Sequence, residues 1–163
     1  MTKYLFLLLS AISFSLSAQT TNEGKAILEP VTRLFTGMNL GDSAMVHTAF
    51  TKQVSMASIF KDKNGNPAIR YESSLDAFLK AVGTPHDQAW NEPIWDVKVE
   101  QDGNMAQVWA RYAFYLGKTF SHCGVDAFQL FKGADGQWKI FSLADTRQKE
   151  GCQVPPQVSV MFK

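Results

Sequence analysis

The sequence lacks the side chains and motifs on which several kinds of enzyme depend. Its 163 residues include only 2 cysteines and 3 histidines, and none of them stands in the CxxC or HxxxH spacing typical of a metal site. A glycine-rich phosphate loop and a nucleophile elbow are also missing. We therefore do not expect metal-dependent catalysis, phosphoryl transfer or nucleophilic catalysis. We also predict that the protein holds no metal and no cofactor.

Long apolar runs are absent as well, except at the N-terminus. The run over residues 4–16 is broken only by serines, follows Lys3 and precedes the small residue Ala18. This order is typical of a secretory signal peptide, and the run is too short for a membrane span of roughly 20 residues. We predict a signal peptide over residues 1–18, no membrane span, and one exported domain, periplasmic or extracellular, over residues 19–163.

The chain also has no large excess of positive or of negative charge. The 16 lysines and arginines, less Lys3 of the leader, match the 15 aspartates and glutamates in number. Nucleic acids and anionic membrane surfaces are bound by faces of net positive charge. We therefore expect no nucleic-acid partner.

The two cysteines, Cys123 and Cys152, leave three interpretations open. In an oxidising compartment they can form one disulfide, which we favour. Two free thiols are the first alternative. Metal ligation is the second, because His122 stands next to Cys123, although no metal-ligand spacing supports it.

Three helices are predicted in the first half of the chain. Apolar residues recur at helical spacing around Pro30, which either lies in the first turn of its helix or kinks it. Gly41 ends this helix, and Asp42 caps a short second one. Ser73 caps a third, with Asp76 three residues on as in a capping box. The apolar stripe of the first helix comprises Ile27, Val31, Leu34, Phe35 and Met38.

Strands joined by tight turns are predicted elsewhere. Alternating residues indicate a first pair of strands and then, after an exposed loop over residues 84–92, four longer strands. Helices followed by a meander of strands predict an α+β fold, in which three helices lie across one face of a curved, mostly antiparallel six-stranded sheet. The turns are expected at residues 61–67, 102–103, 117–119 and 133–136.

The turns also predict which residues face each other. The alternation after Pro93 puts Trp95, Val97 and Val99 on the inner face of the sheet. A three-residue loop at residues 117–119, with a bulge, sets the register of the next pair of strands. The pairs expected from the turns are Phe114 with His122, Ala110 with Asp126, and Gly124 with Asp145, which leaves Asp126 near Leu143.

These pairings gather polar side chains on an otherwise apolar inner face. Tyr112, His122, Asp126 and Asp145 surround Gly124, which has no side chain and so leaves space above the sheet. An apolar cavity with a few convergent polar groups is typical of a small-ligand site. Its predicted walls are Trp95, Phe114, Phe128, Phe141, Leu143, Phe35 and Met38.

Three stretches resemble the nuclear transport factor 2-like superfamily, which includes ketosteroid isomerase-like, scytalone dehydratase-like and SnoaL-like proteins. They are LFTGMNLGD at residues 34–42, FSHCGVDAFQLF at residues 120–131 and DGQWKIFSL at residues 135–143. The resemblance spans roughly residues 23–147 and is nearest the putative lumazine-binding-like branch. It implies a cone-shaped roll with a pocket at its open end, often a homodimer through the convex sheet face.

The resemblance also implies roles for two polar residues. Asp126 falls where isomerase-like members place a pocket-facing acid, and His122 could pair with Asp126 or Asp145 as in dehydratase- and cyclase-like members. The chain departs from the isomerase pattern, because residues 54–59 carry no carboxylate at the place of the general-base Asp. His122 is either a general base or a structural residue. Asp126 is either a protonated donor or the charged partner of His122 or Arg111.

Three functions are consistent with the sequence. The first is an exported domain that binds a small, mostly apolar ligand. The second is a cofactor-free isomerase, dehydratase or cyclase with His122 as base and Asp126 as proton donor or orienter. The third is a structural dimerisation module with a filled cavity. The apolar residues predicted on the convex face, which either the tail or a second subunit would cover, are Trp109, Phe131, Trp138 and Ile140.

Overall fold

The structure of the chain is a computed structural model that describes residues 22–162. The predicted signal peptide, residues 1–18, lies outside the described residues. The described helices are α1 (Asn22–Leu40), α2 (Ser43–Ala49), α3 (Leu75–Gly83) and α4 (Pro156–Ser159), with a 3-10 turn at Val160–Phe162. The described strands are β1 (Phe50–Lys61), β2 (Pro67–Tyr71), β3 (Trp90–Asn91), β4 (Ile94–Asp102), β5 (Met105–Leu116), β6 (Thr119–Lys132) and β7 (Trp138–Arg147).

The strands form one mixed sheet in the order β2-β1-β7-β6-β5-β3, with β4 also paired to β5. β1 and β7 run parallel, and the other neighbours run antiparallel. The helices α1, α2 and α3 pack on one face, which we call the inner face, and share their core with β1, β5, β6 and β7. The predicted α+β fold with helices on one side of a curved, mostly antiparallel sheet is confirmed, and the strand beyond the expected six is the short β3.

The helix boundaries follow from local chemistry, with two changes from expectation. α1 runs through the buried Pro30, eight residues after it begins, and ends before Gly41 at a φ of 67°. Asp42 caps α2 as predicted, because its side chain accepts from the backbone N–H of Met45 at 2.8 Å. Ser74, and not Ser73, caps α3. No helix within residues 22–162 has the length and apolar character needed to cross a membrane.

The hairpin between β5 and β6 has the predicted register. Phe114 lies opposite His122 and Ala110 lies opposite Asp126, as expected. The loop itself holds only two residues, because Leu116 pairs with Thr119. A bulge at Ser121 supplies the one extra residue that keeps the rest of β6 in the predicted register.

Strand β4 departs from its apparent alternation because it contains a bulge. Asp96 has a φ of 50°, and the pairing with β5 shifts directly after Trp95. Trp95 therefore lies opposite Arg111 on the outer face, whereas Val99 lies opposite Val108 on the inner face. The prediction that Trp95 and Val99 share the inner face is wrong for this reason.

A second bulge lies at Phe141 in β7. The β6–β7 turn is one residue longer than predicted, because Lys132 pairs with Trp138, and this shift turns the residues before Phe141 to the face opposite the predicted one. The bulge at Phe141 then shifts the pairing by one further residue. Trp138 and Ile140, which we expected on the convex face, are instead buried in the core. Trp109 and Phe131 do lie on the outer face, where they are 50% and 49% exposed.

The C-terminal tail covers one end of the outer face. Cys123 of β6 and Cys152 of the tail form the predicted disulfide, with their Cα atoms 6.0 Å apart. The ring of Phe162 stacks on Tyr115, with the ring centroids 4.2 Å apart. The tail therefore packs on part of the outer face and leaves Trp109 and Phe131 uncovered.

Candidate functional site

A cavity of about 480 Å³ lies between the inner face of the sheet and the helices α1 and α3. One side of its wall is apolar and the other is polar. The apolar lining residues are Leu34, Phe35, Met38, Phe78, Ala81, Trp90, Phe114, Leu116 and Leu143. The polar lining residues are Arg70, Glu72, Glu92, Tyr112, Ser121, His122, Asp126, Asp145 and Arg147.

The polar wall is built on one row of residues that crosses four strands. Arg70 of β2 pairs with Ser58 of β1, Ser58 pairs with Asp145 of β7, and Asp145 pairs with Asp126 of β6. Residues that pair across strands share a face of the sheet. The row therefore places a cation, a hydroxyl and two carboxyl groups side by side on the inner face.

This register differs from the one predicted for the last hairpin. The longer β6–β7 turn and the bulge at Phe141 each shift the pairing by one residue, and together they put Asp126 opposite Asp145 and not near Leu143. Gly124 lies beside Thr146 and leaves no open space, because a Cβ at this position would collide with the Thr146 carbonyl oxygen. Glycine is needed here for close backbone approach.

Asp145 is surrounded by hydrogen-bond donors that suit a carboxylate. Its Oδ1 accepts from Ser58 Oγ at 2.6 Å, and its Oδ2 accepts from Tyr112 Oη at 3.0 Å and from Arg147 Nε at 2.7 Å. Burial, and then the Asp145 charge, raise the pKa of Tyr112 above its ordinary value. Tyr112 therefore remains a donor to Asp145.

Asp126, unlike Asp145, is not surrounded by hydrogen-bond donors among the described residues. Its side chain is buried, and its Oδ2 accepts no hydrogen bond from an N–H or hydroxyl group of the described residues. The carboxyl group of Glu92 interacts with it. A hydrogen bond between two carboxyl groups needs a proton on one of them. Burial, followed by repulsion from Glu92 and Asp145, raises the pKa of Asp126 well above its ordinary value.

Glu92 shares this behaviour and completes a carboxyl pair with Asp126. Burial raises the pKa of Glu92 to about 8, and the nearby Asp145 charge adds to the rise. Two carboxyl groups in contact cannot both ionise without strong repulsion. We conclude that the Glu92–Asp126 pair holds at least one proton at neutral pH.

His122 lies at the rim of the polar wall and is not bonded to the carboxyl pair. Its ring is tilted against Phe114, with the centroids 5.1 Å apart, and its Nδ1 lies 3.0 Å from Ser121 Oγ. Burial, and then the Arg147 charge, lower the pKa of His122 to about 4. The imidazole is neutral at pH 7, and it is a weaker base than an ordinary histidine.

The structure brings most of the sequence-predicted site residues to this cavity. Tyr112, His122, Asp126, Asp145, Phe114, Phe35 and Met38 all line it. Phe128 lies in the core beneath it, edge-on to Phe35 at a centroid distance of 6.1 Å. Trp95 packs with Tyr115 and the disulfide on the outer face, and Phe141 lies in its bulge away from the cavity lining.

Sequence reasoning did not include Glu92 and Arg70 in the site, considered Arg147 only as a partner of Asp145, and considered Trp90 only as part of a loop that could overhang the pocket. Trp90 and Glu92 were assigned to an exposed loop, but β3 pairs Trp90 with Leu116 and turns both side chains toward the cavity. The ring of Trp90 stacks on His86, with centroids 4.3 Å apart, and lies edge-on to Phe114. The available sequence signal for Glu92 was its position directly before Pro93 and two residues after Trp90.

No set of three or more ligating side chains within residues 22–162 is arranged to hold a metal ion. The helices, the wrapped sheet and the cavity between them define the nuclear transport factor 2-like fold. The chain belongs to the family described as "Putative lumazine-binding", whose model matches residues 22–144. No match was found among curated proteins.

Solved structures share the fold at low sequence identity. An NTF2-like protein of unknown function from Shewanella baltica OS155 is 17% identical, with a TM-score of 0.57 over 81% of this chain and 100% of that chain. A protein described as "a putative ketosteroid isomerase" from Shewanella frigidimarina NCIMB 400 is 17% identical, with a TM-score of 0.55 over 74% of this chain and 94% of that chain.

A third structure is "the beta subunit of a putative aromatic-ring-hydroxylating dioxygenase" from Novosphingobium aromaticivorans DSM 12444. It is 14% identical, with a TM-score of 0.61 over 82% of this chain and 93% of that chain. At these identities the likeness shows the fold alone, so the function has to be argued from the site.

Proposed function

We propose that the chain binds a small, mostly apolar organic ligand in this cavity, with the Glu92–Asp126 pair as its polar contact. The observation that carries the proposal is the contrast within the cavity wall. Aromatic and aliphatic side chains surround two carboxyl groups, neither of which has an ion-pair partner among the described residues. This combination is typical of small-molecule sites.

The buried Oδ2 of Asp126 supports this assignment. A buried polar atom without a hydrogen-bond partner destabilises a protein by about 1–3 kcal/mol. A ligand hydroxyl, amide or ring N–H could satisfy it, and the proton held by the pair could be donated to a ligand carbonyl. Since the family is described as lumazine-binding, a lumazine-type bicyclic heterocycle belongs among the ligands to be tested.

The test is a thermal-shift screen of aromatic, isoprenoid-like and lumazine-type compounds against wild type, Asp126→Asn and Glu92→Gln. Ligand binding raises stability by mass action, so a true ligand raises the Tm of wild type. We expect the rise to shrink in both variants and to persist in Asp102→Asn, which changes an exposed residue in the β4–β5 turn. Equal shifts in all four proteins would contradict a role for the pair.

A second candidate function is proton-transfer catalysis without a cofactor, as in an isomerase, dehydratase or cyclase. The carboxyl pair favours it, because a group whose pKa lies near the working pH is an effective acid or base. Because the pKa of His122 is low, proton transfer in this case would use Glu92 and not His122. Deuterium exchange next to a carbonyl of a bound ligand, measured by NMR and lost in Glu92→Gln, would support it. Binding without exchange would restrict the function to binding.

Export of one domain over residues 19–163 is part of the proposal. The apolar run at residues 4–16 supports a cleaved leader, and the Cys123–Cys152 disulfide is typical of oxidising compartments. N-terminal sequencing of the protein from the periplasm or the medium tests this. A mature chain that starts near Gln19 is expected, and an uncleaved chain in the cytoplasm would contradict export.

We also propose a homodimer through the outer face of the sheet. Trp109, Phe131 and Met105 are each about half exposed there, and large apolar side chains exposed together on one face favour an interface. Sedimentation of wild type and Trp109→Glu tests it, with a dimer expected for the first and a monomer for the second. The cavity itself counts against the third function, a structural module with a filled interior.

A further inference from the structure

The polar end of the cavity continues into a second, shallower cavity on the side of β1, β2 and β7. This second cavity has a volume of about 730 Å³. Arg70, His122 and Arg147 line both cavities and so stand at the junction between them. A ligand in the apolar cavity could therefore extend past these residues toward solvent.

The second cavity is strongly basic, although the chain as a whole is close to neutral. Lys61, Arg70, Arg147 and Lys149 line it, against the single carboxylate of Glu150. Glu72 and Asp145, which line the first cavity together with Arg70, are the carboxyl groups that face the junction from that side. The cations outnumber the carboxylates around this opening, so its local field attracts anions.

The two arginines at the junction differ in how they are held. Arg147 Nε donates to Asp145 Oδ2 at 2.7 Å, and 41% of its side chain remains exposed. Arg70 has no carboxylate within ion-pair distance among the described residues, and its guanidinium lies over the Phe60 ring at 5.8 Å. Its five N–H donors are therefore open to an oxyanion, which a planar guanidinium binds in a bidentate manner.

We propose that the ligand is an amphipathic organic anion. Its apolar body occupies the cavity above Phe35 and Phe114, and its oxyanion, a carboxylate or sulfonate, binds Arg70 with support from Lys61 and Lys149. This inference rests on the proposed function, since it names the class of molecule that the same cavity takes. The proton held by the Glu92–Asp126 pair reduces the repulsion of these two carboxyl groups toward such a ligand.

Two fluorescent probes with the same ring system separate the apolar and anionic parts of the proposal. Anilinonaphthalenesulfonate carries the anion, and phenylnaphthylamine is its neutral parent. We expect wild type to bind both, with the anionic probe about tenfold tighter, which corresponds to one charge-assisted interaction. Raising the salt concentration toward about 1 M, where the Debye length is about 3 Å, should weaken the anionic probe only.

Arg70→Gln is the decisive variant, with Arg111→Gln on the outer face as its matched control. We expect Arg70→Gln to lose most of the preference for the anionic probe while keeping its affinity for the neutral one, and Arg111→Gln to change neither. Ala81→Trp, which fills the apolar cavity, should abolish binding of both probes. This last variant separates binding in the cavity from adsorption to the outer face.

The possible failures are distinguishable. The anion assignment would be overturned if wild type and Arg70→Gln bind the anionic probe with equal affinity while Ala81→Trp still excludes the neutral probe. The binding function would remain intact in that case. If neither probe binds wild type, or if Ala81→Trp binds both as wild type does, the proposed function and the anion assignment fail together.

Discussion

Asp126 and Asp145 lie directly opposite each other on β6 and β7, yet three donors converge on Asp145 and none of the described N–H or hydroxyl groups reaches Asp126 Oδ2. Like charges directly opposite in a sheet destabilise it. The two residues are tolerated side by side because three donors surround Asp145, whereas the raised pKa values of Asp126 and Glu92 keep at least one proton on that pair. This contrast in surroundings between the two aspartates is the feature from which most of our predictions follow.

The contribution of Glu92 to the free energy of unfolding should fall as pH rises from about 4 toward about 8. The folded-state pKa of Glu92 is raised, so the favourable contribution of its protonated form is complete below the unfolded pKa of about 4.3 and is lost as pH rises through the folded value of about 8. Urea unfolding at several pH values measures this. In Glu92→Gln the loss should be smaller, and an identical pH profile in the two proteins would exclude a raised pKa.

His122 should act with the opposite sign. Its pKa is lowered to about 4, so its neutral form favours the folded state above the unfolded pKa of about 6.5, and this contribution is lost as pH falls toward about 4. NMR titration of the imidazole carbon protons gives the folded pKa directly. His47, which lies on α2, serves as the reference histidine in the same spectra. A midpoint near 6.5 for His122 would contradict the account.

Arg147→Gln should destabilise the fold more than Arg111→Gln. Loss of Arg147 leaves the buried Asp145 carboxylate without its cation, and such a loss costs about 3–5 kcal/mol when both groups are fully buried. Because Arg147 is partly exposed, we expect about 1–3 kcal/mol. Arg111 pairs with Asp96 at an exposed site, which is worth about 0–1 kcal/mol. Equal effects in chemical denaturation would show that Asp145 does not depend on Arg147.

Gly124→Ala should destabilise the protein by overpacking. The new Cβ would collide with the Thr146 carbonyl oxygen, and forced backbone shifts of this kind cost about 1–3 kcal/mol. Gly103→Ala, in the β4–β5 turn at a φ of 54°, introduces backbone strain without a neighbouring atom, so it is the comparison variant. A smaller loss of stability at Gly124 than at Gly103 would contradict the close approach of β6 and β7.

The sequence was most informative where structure is determined locally. The hairpin of β5 and β6 has its predicted register, because its turn residues and the alternation of its strands agree. As a result Tyr112, Phe114, His122 and Asp126 all reached the cavity as expected. The first helix supplied Phe35 and Met38 for the same reason, since a 3.6-residue period defines one face.

The bulges in β4 and β7, the length of the β6–β7 turn and the short strand β3 were not predicted. Neither Asp96 nor Phe141 is a glycine, so nothing in the local sequence marks the two places where side chains change faces. Trp95 and Phe141 were misplaced for this reason. Glu92 reaches the cavity only because β3 pairs with the distant end of β5, a contact that depends on the assembled sheet.

The most direct test of the central claim, a small ligand bound over the Glu92–Asp126 pair, is an NMR titration of the amide-labelled protein with the strongest hit from the ligand screen. The account predicts saturable chemical-shift changes centred on Phe35, Glu92, Tyr112 and Asp126, with Trp109 and Phe131 on the outer face unchanged. Changes confined to the outer face, or none in the cavity at ligand saturation, would contradict it.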